Sequence, residues 1–137
     1  RDERVAVMQP NGRSEQNLRG VHPDLVVVVR RAAVLCPIDF IVTEGLRTAM
    51  RQQRLVQAGV SWTMNSRHLT GHAVDLAPIF DGEVRWDWPP FFVLARAMKD
   101  AAAELDVALV WGGDWTTFKD GPHWELPWAR YPIKKAA

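Results

Sequence analysis

Apolar positions fall at helical spacing in some stretches of the chain and at strand spacing in others, and the breaks between them are marked by Pro and Gly. Leu25, Val28, Val29, Ala32 and Leu35 recur three and four apart behind Pro23, a good first helical residue, so the spacing predicts a helix over 23–35. Pro37 stops it. Ile38, Phe40 and Val42 then alternate with Asp39, Ile41 and Thr43, which predicts a strand ending at Gly45. Thr48 reads as the N-cap of a helix running to about Ala58 and closed by Gly59. Residues 60–71, rich in Ser, Thr, Asn and Gly, read as a loop into a strand at 72–77, and Asp81-Gly82 marks a hairpin tip between Phe80 and Val84. Pro89-Pro90 opens a further helix whose stripe is Phe91, Leu94, Ala95, Met98, Ala102 and Leu105. Val107 to Trp111 reads as a short strand and residues 122–126 as the last one, with His123 and Glu125 on one face and Trp124 and Leu126 on the other. Ahead of all this, Asn11-Gly12 predicts a turn and Ser14 to Leu18 a short helical turn. Helices and strands are intermixed with short strand connections, which predicts an α+β domain: a small, mainly antiparallel sheet with flanking helices.

Length and composition narrow this picture. With 137 residues, 47% of them hydrophobic, the chain supports one core, so a single domain over 1–137 is expected, with 1–17 and 128–137 as peripheral segments. Lys and Arg total 17 against 16 Asp and Glu, a net charge of 17 − 16 = +1, which offers no electrostatic footprint for nucleic acid. Cys36 is the sole cysteine, which excludes an internal disulfide and a cysteine-based zinc site; among apolar neighbours it reads as a buried, inert thiol. The apolar run from Leu25 to Val29 is cut short by Arg30-Arg31, far below the roughly 20 residues of a membrane span, so no integral membrane segment is expected. Nor does Arg1-Asp2-Glu3-Arg4 read as a secretory signal. A monomer is expected. Tryptophan is abundant in the second half, at 86, 88, 111, 115, 124 and 128; most are expected in the core and one or two along a groove.

The chemistry concentrates in Ser66-Arg67-His68-Leu69-Thr70-Gly71-His72-Ala73-Val74-Asp75. Aspartate is a poor strand former, so Asp75 inside an apolar run reads as a carboxylate held for a purpose, with room left by Ala73 and Ala77 on its face. His68 lies just upstream across the bend at Gly71, and His123 on the last strand offers a third ligand. Two imidazoles and a carboxylate suit zinc and leave a fourth position open for water. Asp120 is the candidate carboxylate for moving a proton to and from that water, with Asp114 and Glu125 as rivals. Glu125 shares the face of His123, so a hydrogen bond to that imidazole is its natural role. His72 alternates away from Asp75 and reads as structural. Arg47 sits at a strand-to-helix junction, where it is either a functional cation or a surface arginine paired with Glu44.

Ser66-x-His68-x-x-Gly71-x-Ala73-x-Asp75 followed by Asp120-x-x-His123-Trp124-Glu125 resembles the zinc signature of the peptidoglycan peptidases, a family of D-alanyl-D-alanine carboxypeptidases and dipeptidases and phage L-alanyl-D-glutamate endopeptidases. That family shares the fold of the hedgehog signalling domain. The likeness extends to Val21-His22-Pro23, Glu44-Gly45-Leu46-Arg47-Thr48 and Trp111-Gly112-Gly113-Asp114-Trp115, and covers most of residues 18–126. It implies a hedgehog/DD-peptidase-like fold, Zn2+ on His68, Asp75 and His123, Asp120 as catalytic acid and base, and Arg47 binding substrate and steadying charge on the scissile carbonyl, with Ser66 at the edge of the site. Asp at 120, in place of the dipeptidase Glu, and the Trp-Gly-Gly-Asp-Trp run resemble the phage branch. The resemblance therefore implies an endolysin cutting the L-alanyl-D-glutamate bond of the bacterial stem peptide, held in the host cytoplasm until the membrane is breached and then acting on the wall. A carboxypeptidase of the same family is the nearest alternative, and a non-catalytic wall-binding module a more distant one.

Overall fold

The computed structural model describes residues 12–61 and 63–133, so Asn11 of the expected first turn lies outside the described residues. In chain order the elements are α1 (Arg13–Asn17), α2 (Pro23–Leu35), β1 (Asp39–Glu44), α3 (Ala49–Gln57), a 3-10 turn (Arg67–Thr70), β2 (Ala73–Phe80), β3 (Glu83–Val84), α4 (Trp88–Leu105), β4 (Val110–Trp111), a second 3-10 turn (Gly112–Asp114) and β5 (His123–Glu125). The strands form one sheet in the order β1-β2-β5-β4, with β3 folded back on the end of β2, and every pairing is antiparallel. The α+β architecture expected from the pattern is the one observed.

Strand alternation divides the sheet into two faces. Phe40, Val42, Val74, Leu76 and Trp124 point to the side covered by α2 and α4, where Leu25, Val28, Val29, Leu94 and Met98 complete the core. Those five helix residues are fully buried, and each contributes on the order of 1.5–3 kcal/mol by leaving water. Trp111 stacks on Trp124 at 5.4 Å, and its indole N–H donates to the Gly121 carbonyl at 2.7 Å, fastening β4 and the following loop to the same core. The other face carries Asp75, His123 and Glu125.

Registry then determines which polar groups meet. Asp75 pairs across β2 and β5 with His123, and Ala73 pairs with Glu125. On the other side of β2 the ladder with β1 slips between Val42 and Glu44, so that Glu44 comes opposite Asp75. Such an irregularity re-aims side chains at the rim of a sheet.

Of the segments expected to be peripheral, 1–17 and 128–137, the described parts, 12–17 and 128–133, are both tied to the rest of the domain. Ser14 is buried, and its hydroxyl accepts from the Val42 amide at 3.0 Å while the Asn17 side-chain amide donates to the Val42 carbonyl at 2.8 Å. Thus α1 satisfies groups that an edge strand would otherwise leave open. At the other end the Tyr131 hydroxyl donates to Asp24 at 2.7 Å, and buried Arg67 donates to the carbonyls of Leu126 (2.8 Å) and Tyr131 (2.9 Å). Two strand boundaries also differ from expectation. Asp106 at φ 56° closes α4 in a left-handed turn, and the Val107 amide returns to the Ala102 carbonyl, so β4 begins only at Val110. β2 runs on to Phe80 because the Asp81-Gly82 turn lets it pair with β3.

Candidate metal centre and cleft

His68 lies on a 3-10 turn in the stretch expected as plain loop. Ser66 caps that turn, its hydroxyl accepting from the His68 amide at 3.2 Å, and Gly71 ends it at φ 76°, where its α-carbon lies against the Gly20 carbonyl too closely for any side chain. The His68 Nδ1 meets the Gly45 carbonyl at 2.8 Å. A carbonyl only accepts, so Nδ1 donates to it and Nε2 is left facing Asp75 Oδ1 at 3.2 Å. His123 is oriented in the mirror sense: Nε2 meets Glu125 Oε1 at 2.7 Å, which turns Nδ1 toward Asp75 Oδ1 at 3.4 Å. Each imidazole is thus held by an outer acceptor and aims an inner nitrogen at one carboxylate.

The three ligand atoms lie within 4.8 Å of one another. Three acceptors facing one point repel unless a cation or a proton sits among them, and two imidazole nitrogens with one carboxylate oxygen are a divalent-metal donor set. In the protein without metal a proton takes that role. Burial pushes His123 down, but the bonds and charges of Asp75 and Glu125 outweigh it and raise the imidazole to about 9. Burial likewise pushes Asp75 up and is outweighed by His123 and His68, which hold the carboxyl well below the usual range. His68, Asp75 and His123 therefore form a group able to hold a metal ion, with Glu125 hydrogen-bonded to one of its imidazoles at 2.7 Å.

Arg47 is not a surface arginine. Its side chain is 8% exposed and donates through Nε and NH2 to Glu44 at 2.8 and 2.6 Å, and through NH1 to Gln52 at 2.7 Å. NH2 also lies 3.8 Å from Asp75 Oδ2. Arg47 thus pairs with Glu44, as one reading of its position expects, but as a buried group beside the Asp75 carboxylate rather than on the surface. Burial acts to raise the Glu44 carboxyl, but the bond to Arg47 together with the charges of Arg47 and His68 outweighs it and leaves the carboxyl lowered. Gln52 is fully buried, although in the sequence it looks like one more polar residue on an exposed helix. Its amide donates to Thr63 O (2.6 Å) and Ser61 Oγ (2.8 Å), so it ties Arg47 to the loop that walls the site.

Asp120 sits in a tight turn: its amide donates to the Gly112 carbonyl at 3.0 Å and its carbonyl accepts from His123 at 3.2 Å. A methyl on Gly112 would collide with the Asp120 carbonyl oxygen and come within 3.0 Å of its Cβ and 3.1 Å of the His123 Cβ. Burial, and then the charge of Asp75, push the Asp120 carboxyl above its ordinary range. Its rival Asp114 instead pairs with Lys99 on the surface at 2.8 Å. Trp115 lies 5.2 Å from the His123 ring, and His72 packs against His22 at 5.4 Å with its Nδ1 bonded to Thr70, apart from the triad.

His68, Asp75, His123, Glu125, Arg47, Glu44, Asp120, Trp115 and Ser66 line one cleft of about 990 Å³, which Arg51, Trp86 and Trp128 also border. Among the described tryptophans only Trp111 and Trp124 are buried, whereas Trp86, Trp88 and Trp128 are exposed, so the core does not take most of them as expected: Trp86, Trp115 and Trp128 line the cleft instead.

The profile of the family described as phage L-alanyl-D-glutamate peptidase matches residues 7–126. The chain is similar to the L-alanyl-D-glutamate peptidase of Escherichia phage T5, at 36% identity over 111 residues, 78% of this chain and 81% of that protein. It is also similar to the peptidoglycan L-alanyl-D-glutamate endopeptidase CwlK of Bacillus subtilis, at 31% identity over 112 residues, 72% of this chain and 66% of that protein. Among solved structures, the L-Ala D-Glu endopeptidase ChiX of Serratia marcescens matches with a TM-score of 0.85 and 50% identity, over 88% of this chain and 91% of that one.

Proposed function

This chain belongs to the phage L-alanyl-D-glutamate peptidase family, and on that premise we propose that it hydrolyses the L-alanyl-D-glutamate bond of the peptidoglycan stem peptide with a zinc ion held by His68, Asp75 and His123. The observation that carries the reading is the convergence of two outward-anchored imidazoles on Asp75 in the cleft that also holds Asp120. Bound there, zinc would supply a Lewis acid for the scissile carbonyl and a lowered pKa for the attacking water.

The chain's own groups do the rest. Asp120, with its carboxyl raised by burial and by Asp75, accepts the proton of the attacking water and returns it to the departing amine of D-glutamate. Arg47 has five N–H groups, three of them committed to Glu44 and Gln52; the remaining 5 − 3 = 2 can serve the carbonyl oxygen as negative charge builds there. Because that guanidinium is already fixed by its partners, it needs no rearrangement when the charge appears. Ser66, whose oxygen is occupied by the turn it caps, retains its O–H for the substrate at the rim.

Relatives named for the L-alanyl-D-glutamate bond favour the endopeptidase over a carboxypeptidase, and ligands that line an open cleft favour catalysis over a binding module. The expected route, cytoplasm until the membrane is breached and wall thereafter, belongs to the same proposal, as does a monomeric enzyme. Digestion of purified peptidoglycan by zinc-loaded and by chelated protein, with mass analysis of the released ends, tests it. New D-glutamate amino termini, absent after chelation, are the expected result; released free D-alanine would assign the carboxypeptidase instead.

A further inference from the structure

Trp86 is 64% exposed, yet its ring is firmly placed. One face rests on Phe91, with ring centres 6.3 Å apart and planes 26° from parallel, and Phe91 is itself buried against Gly121, next to Asp120. The backbone on either side is bracketed: Arg85 donates its amide to Pro78 O at 3.0 Å, and its guanidinium Nε reaches over to Asp87 at 3.0 Å. The indole borders the cleft that holds the metal ligands. Trp88, also exposed, packs on the same Phe91 at 6.4 Å, so Trp86 belongs to an exposed aromatic patch at the mouth of the cleft, and a patch of this kind calls for an occupant.

Resting on the reading of the scissile bond given above, the substrate identifies one. L-alanine is the first residue of the stem and is joined through a lactyl ether to an N-acetylated sugar of the glycan strand. Only an alanyl and a lactyl unit separate the scissile carbonyl from that sugar, a span of roughly 7 Å at 3.3–3.6 Å per unit. The sugar must therefore lie within about one ring's width of the site, and a pyranose offers a flat face of C–H bonds that suits the electron-rich face of an indole. We propose that Trp86 is the floor of a saccharide subsite that binds the N-acetylmuramyl ring carrying the stem peptide. The enzyme thereby favours stems still attached to glycan over free peptide.

The test compares two substrates with the same scissile bond: the disaccharide-linked stem peptide released from peptidoglycan by a glycosidase, and the sugar-free stem released by an amidase. The unmodified protein should show a KM roughly three- to tenfold lower for the sugar-linked form. Trp86→Ala should bring the ratio of the two KM values to within twofold of unity, and Trp86→Phe should give an intermediate ratio. A ratio unchanged by Trp86→Ala, or no preference in the unmodified protein, overturns the subsite. Calorimetric titration of N-acetylmuramyl-linked stem peptide into chelated protein gives a readout independent of turnover. Weaker binding by Trp86→Ala supports the subsite even if the bond assignment fails, and equal binding by both proteins overturns it even if cleavage is observed.

Discussion

Removing the Glu125 carboxylate should weaken the metal site without touching a ligand. Glu125 Oε1 takes the Nε2 proton of His123 at 2.7 Å, and His123 is only 8% exposed, so water cannot replace that partner freely. Glu125→Ala loses a charge-assisted bond, leaves a buried N–H without an acceptor, and frees the ring to rotate its inner nitrogen away from Asp75. Partners of this kind typically contribute 10- to 100-fold to metal affinity, or about 1.4–2.7 kcal/mol. Glu125→Gln keeps a neutral acceptor and should lose less, on the order of tenfold. Competition with a chelator of known affinity measures both, and circular dichroism checks that the short strand β5 is retained. Zinc affinity within twofold of the unmodified protein for Glu125→Ala would refute the reasoning, because the orientation of His123 would then have another cause.

Three other outcomes follow from the same geometry. Gln52→Ala removes the bonds to Arg47, Ser61 and Thr63 from a fully buried position; it should cost about 2–5 kcal/mol, seen as a Tm lower by on the order of 10 °C, and should reduce kcat through a loosened Arg47. Gly112→Ala forces the Asp120 turn outward; a displacement approaching 1 Å should lower kcat by on the order of 100-fold, with a near-native far-ultraviolet spectrum. In the chelated protein His123 is raised from 6.5 to about 9, so its bonds to Asp75 and Glu125 stabilise the fold fully below pH 6.5 and lose that contribution as pH rises through 9. The Tm of chelated protein should fall over that window, and zinc binding at pH 7, which needs the neutral imidazole, should release about one proton as measured by calorimetry in buffers of different ionisation enthalpy.

Much of this was legible along the chain because local rules and tertiary demands agree there. Pro23, Leu25, Val28 and Val29 give both the start and the buried face of α2, and the alternation of His123, Trp124, Glu125 and Leu126 divides site from core as observed. That His68, Asp75 and His123 would come together could be read because each residue type is unusual in its local setting. Gln52 and Arg67 could not. Both look like solvated side chains until tertiary contacts surround them, one with Arg47 and the 61–63 loop and the other with the carbonyls of Leu126 and Tyr131. The slip between β1 and β2 that brings Glu44 to Asp75 was hidden for the same reason, since a ladder irregularity depends on two strands and neither sequence announces it.

The division of labour between a metal triad and Asp120 is tested most directly by Asp120→Ala, assayed for zinc content and for cleavage of the stem peptide in one preparation. Asp120 accepts no metal role in this account, so the variant should bind zinc with near-native affinity while kcat falls by on the order of 100- to 10,000-fold. Retained turnover with zinc bound, or loss of zinc along with activity, would contradict it.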